Sequence, residues 1–233
     1  MRGLFVTGTD TGAGKTVLAG AVVAALRARG VDIRALKPVI TGLDEPGSPD
    51  WPLDHELLAR AARQRADQVA LELYGPPTSP HLAAELAGRQ IDVPALLDSI
   101  RGAGAEAEAV VVEGVGGLLV PLSNSHDVRA LARSLELPLL VAARPGLGTI
   151  NHTLLTLEAA RGAGLDVAAV VLTPWPDHPS TIEHSNRETI AQLGAVEVAT
   201  LPKIERADPE LLAEAGRALP IERWLRGSDR AAS

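Results

Sequence analysis

A chain of 233 residues that is 46% hydrophobic and 22% charged can bury a sizeable core without staples, and at this length an α/β chain often forms one domain. Its formal net charge of −7, with 22 Lys and Arg scattered along the chain, excludes a generic binder of nucleic acid or of an anionic membrane, because phosphate contacts need clustered cations. Phe5, Tyr74 and three Trp are the only aromatic residues and offer no stacking platform for single strands, while the absence of cysteine excludes a disulfide framework, a thiolate zinc site and a cysteine nucleophile.

In chain order, the first apolar run is Leu4–Val6, too short for a signal peptide and of strand length. It leads into GTDTGAGKT, Gly8 to Thr16, which opens an Ala/Val/Leu-rich helix over Val17–Arg29. Strand, glycine-rich loop and helix in this order are the context of a phosphate loop. Small residues let consecutive backbone N–H groups converge on phosphate oxygens at a helix N-terminus, and Gly12, Ala13 and Gly14 supply that backbone. Lys15 reaches the outer phosphates and the Thr16 hydroxyl completes a Mg²⁺ shell. Thr9 holds the first glycine position of the usual pattern, with Gly8 one residue earlier. A plain Gly-rich turn with a surface lysine is the competing reading, and the strand, glycines, Lys-Thr pair and helix together outweigh it.

The next strand, Ile33–Leu36, ends in LKPVITG, which puts Lys37 on the edge where parallel sheets bind ligands; by itself it reads equally as a solvated lysine before a proline turn. Leu43–Pro52 and Tyr74–His81 read as loops. Asp54, which opens a helix over His55–Arg63, reads by itself as a helix-start acid. The strand Ala109–Val112 ends in Glu113, followed by Gly114, Val115, Gly116 and Gly117, and an acid there is a candidate for the Mg²⁺ shell. A helix over Val128–Leu135 and a strand over Leu137–Ala142 precede GLGTINH, Gly146 to His152, whose helix (Ile150–Arg161) offers a second anion-binding N-terminus. The strand Val167–Leu172 is followed by Thr173, Pro174 and Trp175, then by a helix over Thr181–Leu193 and a strand over Val196–Leu201. None of the six histidines has metal-ligand spacing to another. Unbroken Val/Ile/Leu strands alternating with helices point to an α/β fold of P-loop NTPase type: a mostly parallel central sheet with helices on both faces, one domain over residues 1–226 and a frayed tail over 227–233. Without cysteine and without an apolar stretch near the roughly 20 residues that span a bilayer, a cytoplasmic location is expected.

Five segments in order, GTDTGAGKT, KPVITG, PTSPH (Pro77 to His81), VEGVGGLLVPL (Val112 to Leu122) and GLGTINHTLLT, resemble the dethiobiotin synthetase family over roughly residues 3 to 202. The resemblance implies a homodimeric, Mg²⁺-dependent ligase that converts 7,8-diaminononanoate, CO₂ and ATP or another nucleoside triphosphate into dethiobiotin. It implies further that Lys15, Lys37 and Thr11 act on the triphosphate and carbamate, that Thr41 lies beside them, and that Thr16, Asp54 and Glu113 hold Mg²⁺. Gly12, Ala13, Gly14, Lys15, Thr16, Val17, Glu113, Gly116, Thr173 and Pro174 would line the nucleotide. Gly148, Thr149, Ile150 and Asn151 would receive the substrate carboxylate from the partner subunit. Both lysines are expected to be removable without loss of the fold. The chain departs from the family at Gly12, where many members carry Glu, and after Val167–Leu172, where adenine-selective members place an asparagine; Asn186 is the nearest here and lies inside the next helix. A partitioning-type regulatory P-loop ATPase shares the fold but carries a lysine where Asp10 stands, and a cobyrinic-acid-type amidoligase needs a glutamine-hydrolysing function that a chain without cysteine does not bring.

Overall fold

The computed structural model describes residues 1–45, 47–48 and 50–227, so the expected tail, apart from Gly227, lies outside the described residues. The strands are β1 (Gly3–Gly8), β2 (Ile33–Leu36), β3 (Val39–Ile40), β4 (Glu72–Leu73), β5 (Ala109–Gly117), β6 (Leu139–Ala143), β7 (Val167–Trp175) and β8 (Val198–Pro202). The helices are α1 (Lys15–Ala28), α2 (Asp54–Ala62), α3 (Pro80–Leu86), α4 (Val93–Ala105), α5 (Val128–Leu135), α6 (Thr149–Gly162), α7 (Thr181–Gly194), α8 (Pro209–Arg217) and α9 (Ile221–Trp224).

Six strands form the main sheet in the order β2-β5-β1-β6-β7-β8, every pair parallel, while β3 and β4 make a small parallel ladder of their own. Strand residues alternate between two apolar clusters: Leu4, Val6, Val111, Leu140 and Val171 pack on one side with α1, α2, α8 and α9. Phe5, Val110, Val112, Val141 and Leu172 pack on the other with α4, α5, α6 and α7. Because both faces are covered, most strand positions are apolar, which is why these strands read largely as apolar runs; Thr7 and Glu113 are buried polar exceptions in β1 and β5. β1 lies between β5 and β6, so its C-terminal end opens at the crevice where such sheets take ligands. Among the described residues no helix is long and apolar enough to cross a membrane.

Several local expectations change. Glu113 does not end its strand: β5 runs on to Gly117, and Glu113 lies opposite Val6 of β1. β7 likewise continues through Thr173 and Pro174 to Trp175, which pairs with Pro202 of β8. Within Tyr74–His81, Pro80 and His81 are helical, because proline at the first helical position loses no backbone bond and presets φ. α4, not anticipated as a helix, begins at Asp92, whose carboxylate accepts a hydrogen bond from Ala95 N at 2.9 Å.

Candidate active site

The turn between β1 and α1 needs Gly14, which caps the helix at φ 89°; a Cβ there would stand 2.6 Å from Thr173 Cγ2, so β7 closes directly onto the loop. No side chain caps α1, and its first N–H groups remain free to bind an anion. Asp10 organises the start of the loop: its Oδ1 accepts from Thr11 N at 2.7 Å, and its carbonyl accepts from Lys15 Nζ at 3.0 Å. Lys15 is buried, and burial lowers its pKa against the opposing pull of Glu113.

Deeper in the crevice the end of β2, the middle of β5 and the starts of α1 and α2 meet. Lys37, directly after β2, donates to Glu113 Oε1 at 2.6 Å and also to Asp54 Oδ2 at the start of α2. Thr16 Oγ1 donates to the same Glu113 Oε1 at 2.8 Å. The Glu113 side chain is 0% exposed and that of Asp54 46%. Burial would lower the pKa of Lys37, but the two carboxylates outweigh it and hold it above the usual lysine range. Asp54 is desolvated too, yet Lys37 keeps its carboxyl below the usual range, whereas burial wins at Glu113 and pushes its carboxyl up against the pull of Lys37. Both lysines, expected to be removable without loss of the fold, are in fact buried, and Lys37 neutralises a buried acid.

Two carboxylates and a hydroxyl converging at one point are the hard oxygen donors that Mg²⁺ takes. Glu113 Oε2 fits that use: it is buried and has no hydrogen-bond partner. Among the described residues no group of three His, Cys, Asp or Glu forms, so a cation held here would complete its shell with phosphate oxygens and water.

Thr11, Gly12, Gly14, Lys15, Thr16, Val17, Lys37, Thr41, Asp54, Glu113 and Gly116 line one cavity of about 760 Å³. Ala13 is buried behind the loop, Thr173 packs on Gly14 and Pro174 is exposed; none of these three lines it. Gly148, Thr149, Ile150 and Asn151 do not reach the cavity either. The sequence reading missed its apolar wall, which includes Trp51, Pro77, Pro80, Val115 and Val120. Trp51 stands three residues before Asp54, a spacing that could have drawn attention to it.

A family profile described as an AAA domain matches residues 2–210. An ATP-dependent dethiobiotin synthetase of Anaeromyxobacter sp. is 42% identical over 84% of this chain and 91% of its own. That of Anaeromyxobacter dehalogenans is 47% identical over 77% and 81%, and that of a Mycobacterium species 36% identical over 97% and 99%. Among solved structures, a MinC:MinD cell division protein complex from Aquifex aeolicus (TM-score 0.58, 14% identity, covering 97% of this chain and 95% of that one) and a ParA family ATPase from Chlorobium tepidum (0.54, 15%, 93% and 89%) share the fold. A phosphate loop closed by β7, an acid pair bridged by a second lysine, and relatives matched along nearly their whole length lead to one conclusion: the chain belongs to the family of ATP-dependent dethiobiotin synthetases.

Proposed function

We propose that this chain closes the ureido ring of dethiobiotin from 7,8-diaminononanoate, CO₂ and a nucleoside triphosphate, with residues 1–226 as one domain. One substrate amine adds CO₂ and loses a proton to give a carbamate. A carbamate oxygen then attacks the γ-phosphorus as the nucleoside diphosphate leaves. The second amine attacks the carbamate carbon, expelling phosphate and a proton, and the ring is closed. Once CO₂ has been taken up, every reacting group except the second amine is anionic, so the protein has to supply fixed positive charge and donors rather than a nucleophile.

The Lys37 bridge carries this reading. An ammonium has three N–H donors, and two are committed to Asp54 and Glu113, which fixes the third for a carbamate oxygen in the cavity. Lys15 and the loop from Gly12 through Thr16 to Val17 face the triphosphate, while Thr11 and Thr41 flank the reacting carbamate. Thr16, Asp54 and Glu113 would hold Mg²⁺, which when bound offsets phosphate charge. Gly116, Thr173 and Pro174 border the nucleotide. A homodimer would bring the partner subunit's α6 N-terminus to the substrate carboxylate; Gly148 to Asn151 lie outside this chain's own cavity and Gly148 caps α6 without a side-chain bond, which suits that use.

The test is mass-spectrometric detection of dethiobiotin from diaminononanoate, bicarbonate, Mg²⁺ and ATP. The product is expected only when all four are present. Its absence with folded protein and all four components would overturn the reading.

A further inference from the structure

Arg144 follows the last residue of β6, on the ligand edge of the sheet next to β1. Past the end of β1 the chain stays tied to β6, because Thr9 N donates to Ala142 O at 3.0 Å, and this brings Arg144 over the phosphate loop. Its Nε donates to the Gly12 carbonyl at 3.1 Å. Its Nη2 lies 2.7 Å from the point where a Cβ of residue 12 would stand, and Gly12 has φ 70°. A side chain at position 12 would push this guanidinium from its place, and Gly12 leaves it room over the loop. The guanidinium is exposed, and among the described residues its Nε–Gly12 bond is its only hydrogen bond and no carboxylate pairs with it.

A cation held over a phosphate loop with most of its five donors unused and no acid to neutralise it suits a phosphate oxygen, which guanidinium binds in a planar, two-pronged way. Gly12 belongs to the outer half of the loop. Gly14 to Thr16 open α1, and Lys15 reaches back from there to the Asp10 carbonyl at the loop's start, the stretch that Arg144 covers through Gly12. We propose that Arg144 is a positioning residue that anchors the loop through Gly12 and contacts the γ-phosphate of the bound nucleoside triphosphate. The assignment rests on the proposed triphosphate site but not on the identity of the second substrate.

Calorimetric titration of the full chain with ADP and with a non-hydrolysable ATP analogue, both with Mg²⁺, tests it. Arg144→Gln is expected to weaken the triphosphate analogue roughly tenfold or more and ADP by less than about twofold, as loss of a charge-assisted bond to one phosphate would do. Arg144→Lys, which keeps the charge without the fork, should fall between wild type and Arg144→Gln. Gly12→Glu, which sets a carboxylate against the guanidinium, should show the same selective loss. Thermal melts confirm that each variant is folded. Equal weakening of both nucleotides would reduce Arg144 to a loop strut and overturn the assignment, as would unchanged affinity for both. Selective loss in a protein that forms no dethiobiotin would instead sink the proposed reaction and leave Arg144 assigned.

Discussion

Removing Lys37 takes away more than a charge for the substrate. Glu113 would stay buried with only the Thr16 hydroxyl as partner, and losing one member of a buried ion pair typically costs ~3–5 kcal/mol. For a chain of this length that corresponds to a fall in Tm of roughly 10 °C. Lys37→Ala should therefore lose both turnover and stability, and adding Glu113→Gln should recover most of the Tm and none of the turnover; calorimetry on the two variants checks this. The pH dependence has a definite sign. A carboxyl whose folded pKa is raised contributes stability below its ordinary value, 4.5 for Glu113, and loses it as the pH rises through the folded value. Without Lys37 the upward push grows, so the deficit of Lys37→Ala should be smallest near the ordinary carboxylate range and widen toward pH 8. A deficit independent of pH would show that Glu113 is not its source. Asp54 behaves oppositely: its pKa is held down by Lys37, so its contribution is present at neutral pH and lost in acid as the pH falls through the depressed value. Asp54→Asn should also shift the Mg²⁺ dependence of the rate to higher concentration, with partial rescue by added metal. Wild-type Mg²⁺ dependence would leave Asp54 as no more than a helix-start acid.

At the scale of elements, β7 is where the proposed nucleotide site would have to read the base. Thr173 packs against Gly14, Pro174 has no N–H to give, and the Asn186 amide in α7 is committed to the carbonyls of Pro145 and Gly146 at 2.8 and 3.2 Å. With the Asn186 amide so committed, discrimination in the proposed site falls to backbone groups and shape. CTP, GTP or UTP should then support turnover within about tenfold of ATP, or ~1.4 kcal/mol of discrimination. Parallel kcat/KM values decide it, and a hundredfold preference for ATP over all three would mean that adenine is read by a group not identified in this fold. The central strands were legible in the sequence because covering both faces leaves few polar positions to interrupt them. α4 was not: Pro94 in its first turn and Gly102 and Gly104 near its end are poor helix formers, and its hold on the sheet comes from Val93, Leu96 and Ile100 packing in the second cluster. Within the site, Lys15 was legible from the glycine-rich loop that leads into α1, and Lys37 and Glu113 because each directly follows an apolar run in the sequence. Arg144 and Trp51 were not, since one depends on β6 lying beside β1 and the other on a loop folding back over the cavity, and neither is local in sequence.

The whole molecule leaves apolar surface uncovered beside its phosphate loop. Leu119 and Leu155 are 59% and 56% exposed, and together with Leu118, Thr9 and Asp10 they line a recess of about 440 Å³. Leu147, one residue before the cap of α6, is fully exposed. If a second copy covers this face, as the proposed homodimer requires, Leu119→Asp with Leu155→Asp should convert a dimer to a monomer by light scattering and raise the KM for diaminononanoate. A wild-type protein that is monomeric at working concentration would remove the cross-subunit part of the proposal. The three tryptophans sit at separate depths of the same architecture: Trp224 is 2% exposed in the core, Trp51 stands in the cavity wall, and Trp175 ends β7 with its ring edge-on to His184 at 6.0 Å. The chain thus carries its own unlabelled optical reporters. Trp224 should give steady background emission, while on the proposed nucleotide site Trp51, in the cavity wall, and Trp175, at the end of β7, would respond to binding. Titrating Trp51→Phe and Trp175→Phe separately would then show, by the signal each variant loses, which of the two indoles senses the nucleotide.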